Sequence, residues 1–138
     1  MAVSTRQSAR IALAFLILPL AACHDSSPTA PALSSLTGSW SGSISFEGCN
    51  AGSLSVEISE FEYQGSRFLD GQWSGACGNS GHATGSVQGN DVNIDLGVGL
   101  TNCVLVAIGS RRGENGIDAH FERSRCASSG SLQLARPG

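Results

Sequence analysis

From Leu36 onward, apolar and polar residues alternate with a period of two, and glycine, asparagine and aspartate interrupt the alternation at short intervals. Trp40 and Ile44 alternate with serines, and Leu54, Val56 and Ile58 alternate with serine and glutamate. Successive side chains of a β-strand point to opposite faces of the sheet, so this pattern predicts antiparallel strands with one buried face. We expect about eight strands, near residues 39–46, 54–59, 68–75, 83–88, 91–96, 103–108, 117–122 and 132–134.

The predicted strands have one apolar and one polar face, which is typical of a single antiparallel sheet around one core. Residues 36–138 are therefore expected to form an all-β domain, an up-and-down barrel in which closure removes exposed sheet edges. A two-sheet β-sandwich is the alternative. The strand at 103–108 is apolar on both faces, and we expect it to be covered on its outer side.

The amino-terminal segment, residues 1–22, has the three parts of a secretory signal. Two arginines precede a short apolar run, which ends in Leu20-Ala21-Ala22-Cys23. This ending resembles the lipobox of bacterial lipoproteins, and the resemblance implies cleavage after Ala22 and a lipid on Cys23. Ordinary signal cleavage that leaves Cys23 free is the alternative. The apolar run is too short for a membrane-spanning helix, which needs about 20 residues.

Residues 23–35 are rich in serine, proline and alanine, and we expect a flexible tether that follows the lipidated cysteine. In well-studied bacteria with two membranes, aspartate directly after the lipidated cysteine retains a lipoprotein at the inner membrane. His24 occupies that position here. The resemblance therefore implies a cell-envelope protein, held at the outer membrane in preference to the inner one.

The opening of the domain, Leu36-Thr37-Gly38-Ser39-Trp40, resembles the Gly-x-Trp string of the first calycin strand, and avidins in particular begin in this way. The resemblance implies a barrel that holds a small apolar ligand, with Arg136 packed on Trp40 as in lipocalins. Trp40 and Trp73 are the candidate ligand contacts inside the barrel. Inward-facing glycines should leave volume near these two side chains, namely Gly42, Gly71, Gly75 and Gly85. Biotin binding is not expected, because the predicted domain lacks the several tryptophans of avidin pockets.

Four cysteines remain after Cys23: Cys49, Cys77, Cys103 and Cys126. In an exported chain an even number of cysteines predicts disulfides. An up-and-down meander places all four at one rim of the barrel, where Cys103 and Cys126 flank adjacent strands. We therefore expect the pairs Cys103–Cys126 and Cys49–Cys77. A zinc site is the weaker alternative, because no Cys-x-x-Cys pair is present.

The residue pattern also limits the function. After residue 22 the chain has six arginines, no lysine and eleven acidic residues, a net charge of −5, which disfavours nucleic-acid binding. Neither a nucleophile elbow nor a phosphate loop is complete, so we expect no enzymatic activity and no cofactor or metal. His82, in a glycine-rich stretch of the predicted rim, is a further candidate ligand contact.

Three non-catalytic roles are compatible with the sequence. The first is a carrier of a small apolar ligand, as the calycin resemblance implies. The second is an envelope protein-binding module that acts through a rim loop, for which small barrel lipoproteins that inhibit lysozyme are a precedent. The third is a structural role in the envelope.

Overall fold

The computed structural model describes residues 33–122, 126–127 and 129–138. They form one closed barrel of antiparallel strands in sequence order. The eight strands are β1 (Gly38–Phe46), β2 (Cys49–Tyr63), β3 (Ser66–Ser74), β4 (Ser80–Gln88), β5 (Asp91–Gly97), β6 (Val104–Arg111), β7 (Gly116–Glu122) and β8 (Ser129–Ala135). A short 3₁₀ turn, Ala76–Gly78, follows β3. The predicted up-and-down barrel is therefore confirmed, and every expected strand is present.

The barrel closes through antiparallel pairing of β1 with β8. Gly42 lies opposite Leu134 on one side and opposite Leu54 on the other. Both neighbours of β1 thus belong to the same continuous sheet. A β-sandwich would consist of two sheets with free edge strands. The described strands form one sheet without a free edge, so this alternative is wrong.

The core is the interior of the barrel, and the period-two pattern assigns its residues correctly. Each strand turns its alternate apolar residues inward, and Trp40, Ile94, Leu105 and Leu132 are all at most 1% exposed. Leu36, which precedes β1, is also fully buried and joins this core. Burial of this kind contributes about 1.5–3 kcal/mol for each large aliphatic or aromatic side chain.

The inward glycines do not leave volume in the barrel, which corrects the expectation from the sequence. A Cβ atom on Gly42 would lie 1.8 Å from the backbone oxygen of Gln133, and one on Gly71 would lie 1.8 Å from that of Glu57. The same position on Gly85 lies 2.1 Å from the oxygen of Asn93. The backbone of the adjacent strand therefore occupies the space that a side chain would fill. Such glycines let a strand bend sharply, as closure of a small barrel requires.

Strand β6 is not covered on its outer face, and that expectation was wrong. Val104 and Ile108 point outward and are 38% and 40% exposed. Both faces of β6 are apolar, yet only one of them meets the core, because a closed barrel has a single interior. Among the described residues, an apolar stripe thus remains on the outer surface.

The two ends of the barrel differ in chemistry. The loops that follow β1, β3, β5 and β7 form one end, the cysteine rim, and both predicted disulfides are found there. Cys49 pairs with Cys77 and Cys103 pairs with Cys126, with Cα–Cα distances of 5.9 and 5.6 Å. The opposite end, here called the arginine end, consists of the turns after β2, β4 and β6 with residues 33–37 and 136–138.

The signal segment, Cys23 and most of the predicted tether lie outside the described residues, so lipidation stays a prediction. The described part of the tether is bonded to the barrel: Ser34 accepts a hydrogen bond from Arg111, and the backbone oxygen of Ser35 accepts one from Arg136. Within the ranges that the structure describes, no helix is long and apolar enough to cross a membrane.

Candidate functional site

The two tryptophans proposed as ligand contacts are packed into the core. Trp40 is 1% exposed, and its indole nitrogen donates to the backbone oxygen of Leu36 at 2.8 Å. Trp73 is 2% exposed and donates to the oxygen of Gly97, also at 2.8 Å. A buried indole N–H needs such a partner, so both rings are held by the protein itself. The guanidinium carbon of Arg136 lies 4.9 Å from the centre of the Trp40 ring, the contact that the calycin resemblance implied.

His82 lies on the outer face of β4 and is separated from both tryptophans by the barrel wall. Its Nδ1 is 2.7 Å from the side-chain nitrogen of Gln72, and its Nε2 is 2.8 Å from a carboxylate oxygen of Asp70. The three candidate ligand residues from the sequence are therefore not gathered in one place. His82 instead supports Asp70, which borders a hollow on the outer surface.

That hollow is one of several on the outer surface of the described barrel, and we call it the outer groove. It has a volume of about 510 Å³ and continues into a second hollow of about 220 Å³ that shares Ser86 and Asn93 with it. Both hollows open to solvent. The main part is lined by Phe61, Phe68, Leu69, Asp70, Thr84, Gly85, Ser86, Asn93 and Asp95, and Ile108 borders the second part.

Strand register explains how the outer groove forms. Phe61 lies opposite Phe68, Phe68 opposite Ser86, and Ser86 opposite Asn93. Asn93 in turn lies opposite Ile108, so one outward row crosses five strands. At about 4.8 Å between neighbouring strands the row is about 19 Å long. Its middle is low because serine and asparagine are smaller than the phenylalanine side chains at one end of the row.

An aromatic pair forms one wall of the outer groove. The rings of Phe61 and Phe68 stack with centroids 5.8 Å apart and planes inclined by 28°. Phe61 is nevertheless 50% exposed. Neither phenylalanine was among the residues predicted from the sequence to contact a ligand. The alternation in β2 could have identified Phe61. This residue follows Ser55, Glu57 and Ser59 at intervals of two, so its side chain points outward as theirs do.

Two hydrogen-bond acceptors in the outer groove have no partner among the described atoms. The Oδ1 atoms of Asn93 and Asp95 are both shielded from solvent and accept no hydrogen bond. Burial raises the pKa of the Asp95 carboxyl, because the charged form loses hydration. Unmet acceptors of this kind are unfavourable unless a donor approaches. The outer groove therefore combines an aromatic wall with two acceptor atoms, on Asn93 and Asp95, that have no partner.

The described residues contain no group of three or more histidine, cysteine or acidic side chains that could hold a metal ion. The four rim cysteines are instead bonded in pairs.

Comparison with known proteins supports the fold. No protein-family model matches the chain. No curated protein matches it either. Among solved structures it is similar to a redesigned β-barrel, mFAP1, bound to DFHBI, with a TM-score of 0.58 and 12% sequence identity. The match covers 73% of this chain and 94% of that one. At this identity the similarity concerns the barrel architecture.

Proposed function

We propose that this protein is a non-catalytic binding module of the bacterial cell envelope, anchored by lipid on Cys23, and that it binds its partner in the outer groove. The observation that carries the proposal is the pair of unpartnered acceptors on Asn93 and Asp95 beside the stacked phenylalanines. A binding surface needs apolar contact area together with a few well-placed polar groups. The outer groove provides both.

The chemistry of the outer groove favours a partner segment that carries positive charge and apolar side chains. Asp70 and Asp95 line the groove, and no arginine does. A guanidinium or ammonium group would supply the donors that Asp95 lacks and would offset its lost hydration. The phenylalanine pair would contact an apolar side chain of the same segment. A row about 19 Å long accommodates an extended segment of about five or six residues.

A second candidate is a small ligand inside the barrel, which the calycin resemblance implies. The similar barrel mFAP1 was solved bound to DFHBI, which favours a small-molecule role for this architecture. In the present chain such a ligand must displace side chains from a filled interior. A change in tryptophan fluorescence on addition of an apolar dye would support this candidate, since Trp40 and Trp73 line that space. An unchanged spectrum at millimolar dye would remove it.

The outer groove can be tested with a hexapeptide in which arginine and phenylalanine are separated by serine, so that both side chains lie on one face of the extended peptide, labelled for fluorescence anisotropy. We expect the purified full chain to bind it, and Phe68→Ala or Asp95→Asn to weaken binding about 10-fold, which corresponds to about 1.4 kcal/mol. Leu100→Ala is the matched control, because Leu100 is an exposed apolar residue in the β5–β6 loop of the cysteine rim. It should leave the affinity unchanged.

The pH dependence adds a second readout to this binding test. The raised pKa of Asp95 means that this carboxyl takes up a proton at a higher pH than an ordinary aspartate. Affinity for the cationic peptide should therefore fall as the pH is lowered through that raised pKa, and Asp95→Asn should abolish this part of the dependence. Equal binding of a glutamate–phenylalanine peptide would contradict a cationic partner. Preferential binding of neutral oligosaccharides would assign the outer groove to glycans instead.

Envelope anchoring is tested separately from the outer groove. In a host that processes bacterial lipoproteins, the intact mass of the mature chain should begin at Cys23 and include two or three acyl chains, which hold a protein firmly at a membrane. Cys23→Ala should release the protein from the membrane fraction. A mature mass without lipid, or a Cys23→Ala protein that remains in that fraction, would overturn this part of the proposal.

A further inference from the structure

The arginine end of the barrel contains a buried cation that neither the fold nor the proposed function uses. Arg111, the last residue of β6, points into the barrel and is only 4% exposed. Its Nη2 donates to the hydroxyl of Ser34 at 2.8 Å. Its Nε and Nη1 are shielded from solvent and have no hydrogen-bond partner. A buried guanidinium with two unused donors is costly, since charged groups lose more than neutral ones when they are left unpaired.

Two further arginines lie around Arg111. Arg136 covers Trp40 and donates from Nη2 to the backbone oxygen of Ser35, while its Nε is also buried without a partner. Arg67, at the start of β3, is ion-paired with Glu60. The unused donors at this end therefore come from Arg111 and Arg136, whereas Arg67 is neutralised by its partner.

The acidic groups at this end are already engaged or exposed. Burial alone would raise the pKa of Glu60, but hydrogen bonds from Arg67 and from the backbone N–H of Leu36 outweigh this effect and lower it. Its oxygens are thus bonded to groups other than Arg111. Glu114 lies in the exposed turn after β6 and attracts Arg111 only at a distance. Of Arg67, Arg111 and Arg136, only Arg67 forms an ion pair with a carboxylate among the described residues.

The electrostatic surroundings of Arg111 favour the binding of an anion. Burial lowers the pKa of its guanidinium, and repulsion from Arg67 and Arg136 acts in the same direction. An arginine remains protonated even so. Attraction to Glu60 and Glu114 acts in the opposite direction, but neither carboxylate forms an ion pair with Arg111 among the described residues.

We propose that the arginine end binds a compact anion, chloride or a single carboxylate group, between Arg111 and Arg136. The unused Nε and Nη1 of Arg111 and the Nε of Arg136 would donate to it as charge-assisted hydrogen bonds. We expect a compact anion, because the nitrogens are shielded from solvent and the segment at residues 34 and 35 must move aside for any ion to reach them. Both arginines also hold residues 34 and 35, so the bound anion fastens the segment that enters β1 to the end of the barrel.

The experiment is thermal unfolding of the full chain in increasing sodium chloride or sodium acetate, with ionic strength held constant by sodium HEPES, whose anion is much bulkier than chloride or acetate. Binding to the folded state alone raises Tm in a saturable way, and at 100 times Kd we expect a rise of roughly 10 °C. Arg111→Gln should remove the rise. Arg112→Gln is the matched control, because Arg112 is the next residue, is exposed and pairs with Asp118. It should preserve the rise.

A second measurement needs no variant and covers the case in which Arg111→Gln does not fold. The wild-type protein should broaden the ³⁵Cl NMR signal of chloride, and acetate should reverse the broadening if the two compete for one site. Arg136→Gln, a change at a half-buried position, should reduce both the broadening and the Tm rise. Equal Tm profiles for the Arg111 and Arg112 variants, or a chloride signal that acetate leaves unchanged, would refute the proposal. Binding of the cationic peptide should not depend on these anions.

Discussion

Removal of both disulfides should leave the barrel at or beyond the limit of stability. The bridges close segments with sequence separations of 28 and 23 residues. The loss of loop-closure entropy in the unfolded chain then stabilises the fold by about 3.5 kcal/mol for each bridge. Small domains have a total free energy of unfolding of about 5–15 kcal/mol. A loss of about 7 kcal/mol is therefore comparable with the whole stability.

The measurement is urea unfolding of the oxidised chain, of the Cys49→Ala/Cys77→Ala and Cys103→Ala/Cys126→Ala double variants, and of the chain with all four replaced. Each pair should lower the free energy of unfolding by about 3–4 kcal/mol. Cys49 is 2% exposed, so its variant should also lose some packing and fall at the upper end of this range. A loss below about 1 kcal/mol for either pair would show that the bridge does not constrain the unfolded chain as argued.

Replacement of an inward glycine should destabilise the barrel almost as much as the loss of a disulfide. We expect Gly71→Ala to lower the free energy of unfolding by about 3 kcal/mol or more, because an added methyl group has nowhere to go. Its Cβ would lie 1.8 Å from the backbone oxygen of Glu57 and 2.9 Å from the carbon of the same group. These are backbone atoms of the paired strand β2, and they can move only if β2 and β3 separate.

Gly97→Ala is the matched control for this effect. Gly97 also lies in a strand, but the nearest atom to an added Cβ is the backbone oxygen of His82 at 3.5 Å, an ordinary contact. Alanine there restricts the unfolded chain, so this substitution should be neutral or stabilising by up to about 1 kcal/mol. Chemical unfolding of both variants measures the difference. Similar decreases in the free energy of unfolding at the two positions would contradict this explanation. They would mean that the flexibility of the unfolded chain, rather than close contact between paired strands, determines the effect of replacing glycine.

The strands and the disulfides could be predicted because both depend on local rules. The alternation of Leu54, Val56 and Ile58 shows which face of β2 is buried, and it does so without any knowledge of the strands that pair with β2. The meander then brings the ends of alternate strands together, and the cysteines follow from that order. The outer groove could not be predicted in this way, since Phe61 and Phe68 become a stacked pair only through the register of β2 with β3.

The glycines and Arg111 show a different limit of sequence reasoning. An inward glycine suggests free volume if only its own strand is considered, but the bend that it permits brings the next strand into that space. Arg111 sits in a turn-like sequence, Ser110-Arg111-Arg112-Gly113, which favours a solvated side chain. The strand continues through Arg111 instead, so the inward phase of β6 carries its guanidinium into the barrel.

The sequence by itself determined that the chain after Leu36 is a set of antiparallel strands with one apolar face, and that four cysteines meet at one rim. Those properties follow from the period of the strand and from chain order, and neither requires knowledge of a contact. The tertiary structure alone decided that the interior is filled, that an acidic and aromatic groove lies on the outside, and that Arg111 is buried. Each of these depends on the distance between atoms of different strands, which closure of the barrel sets.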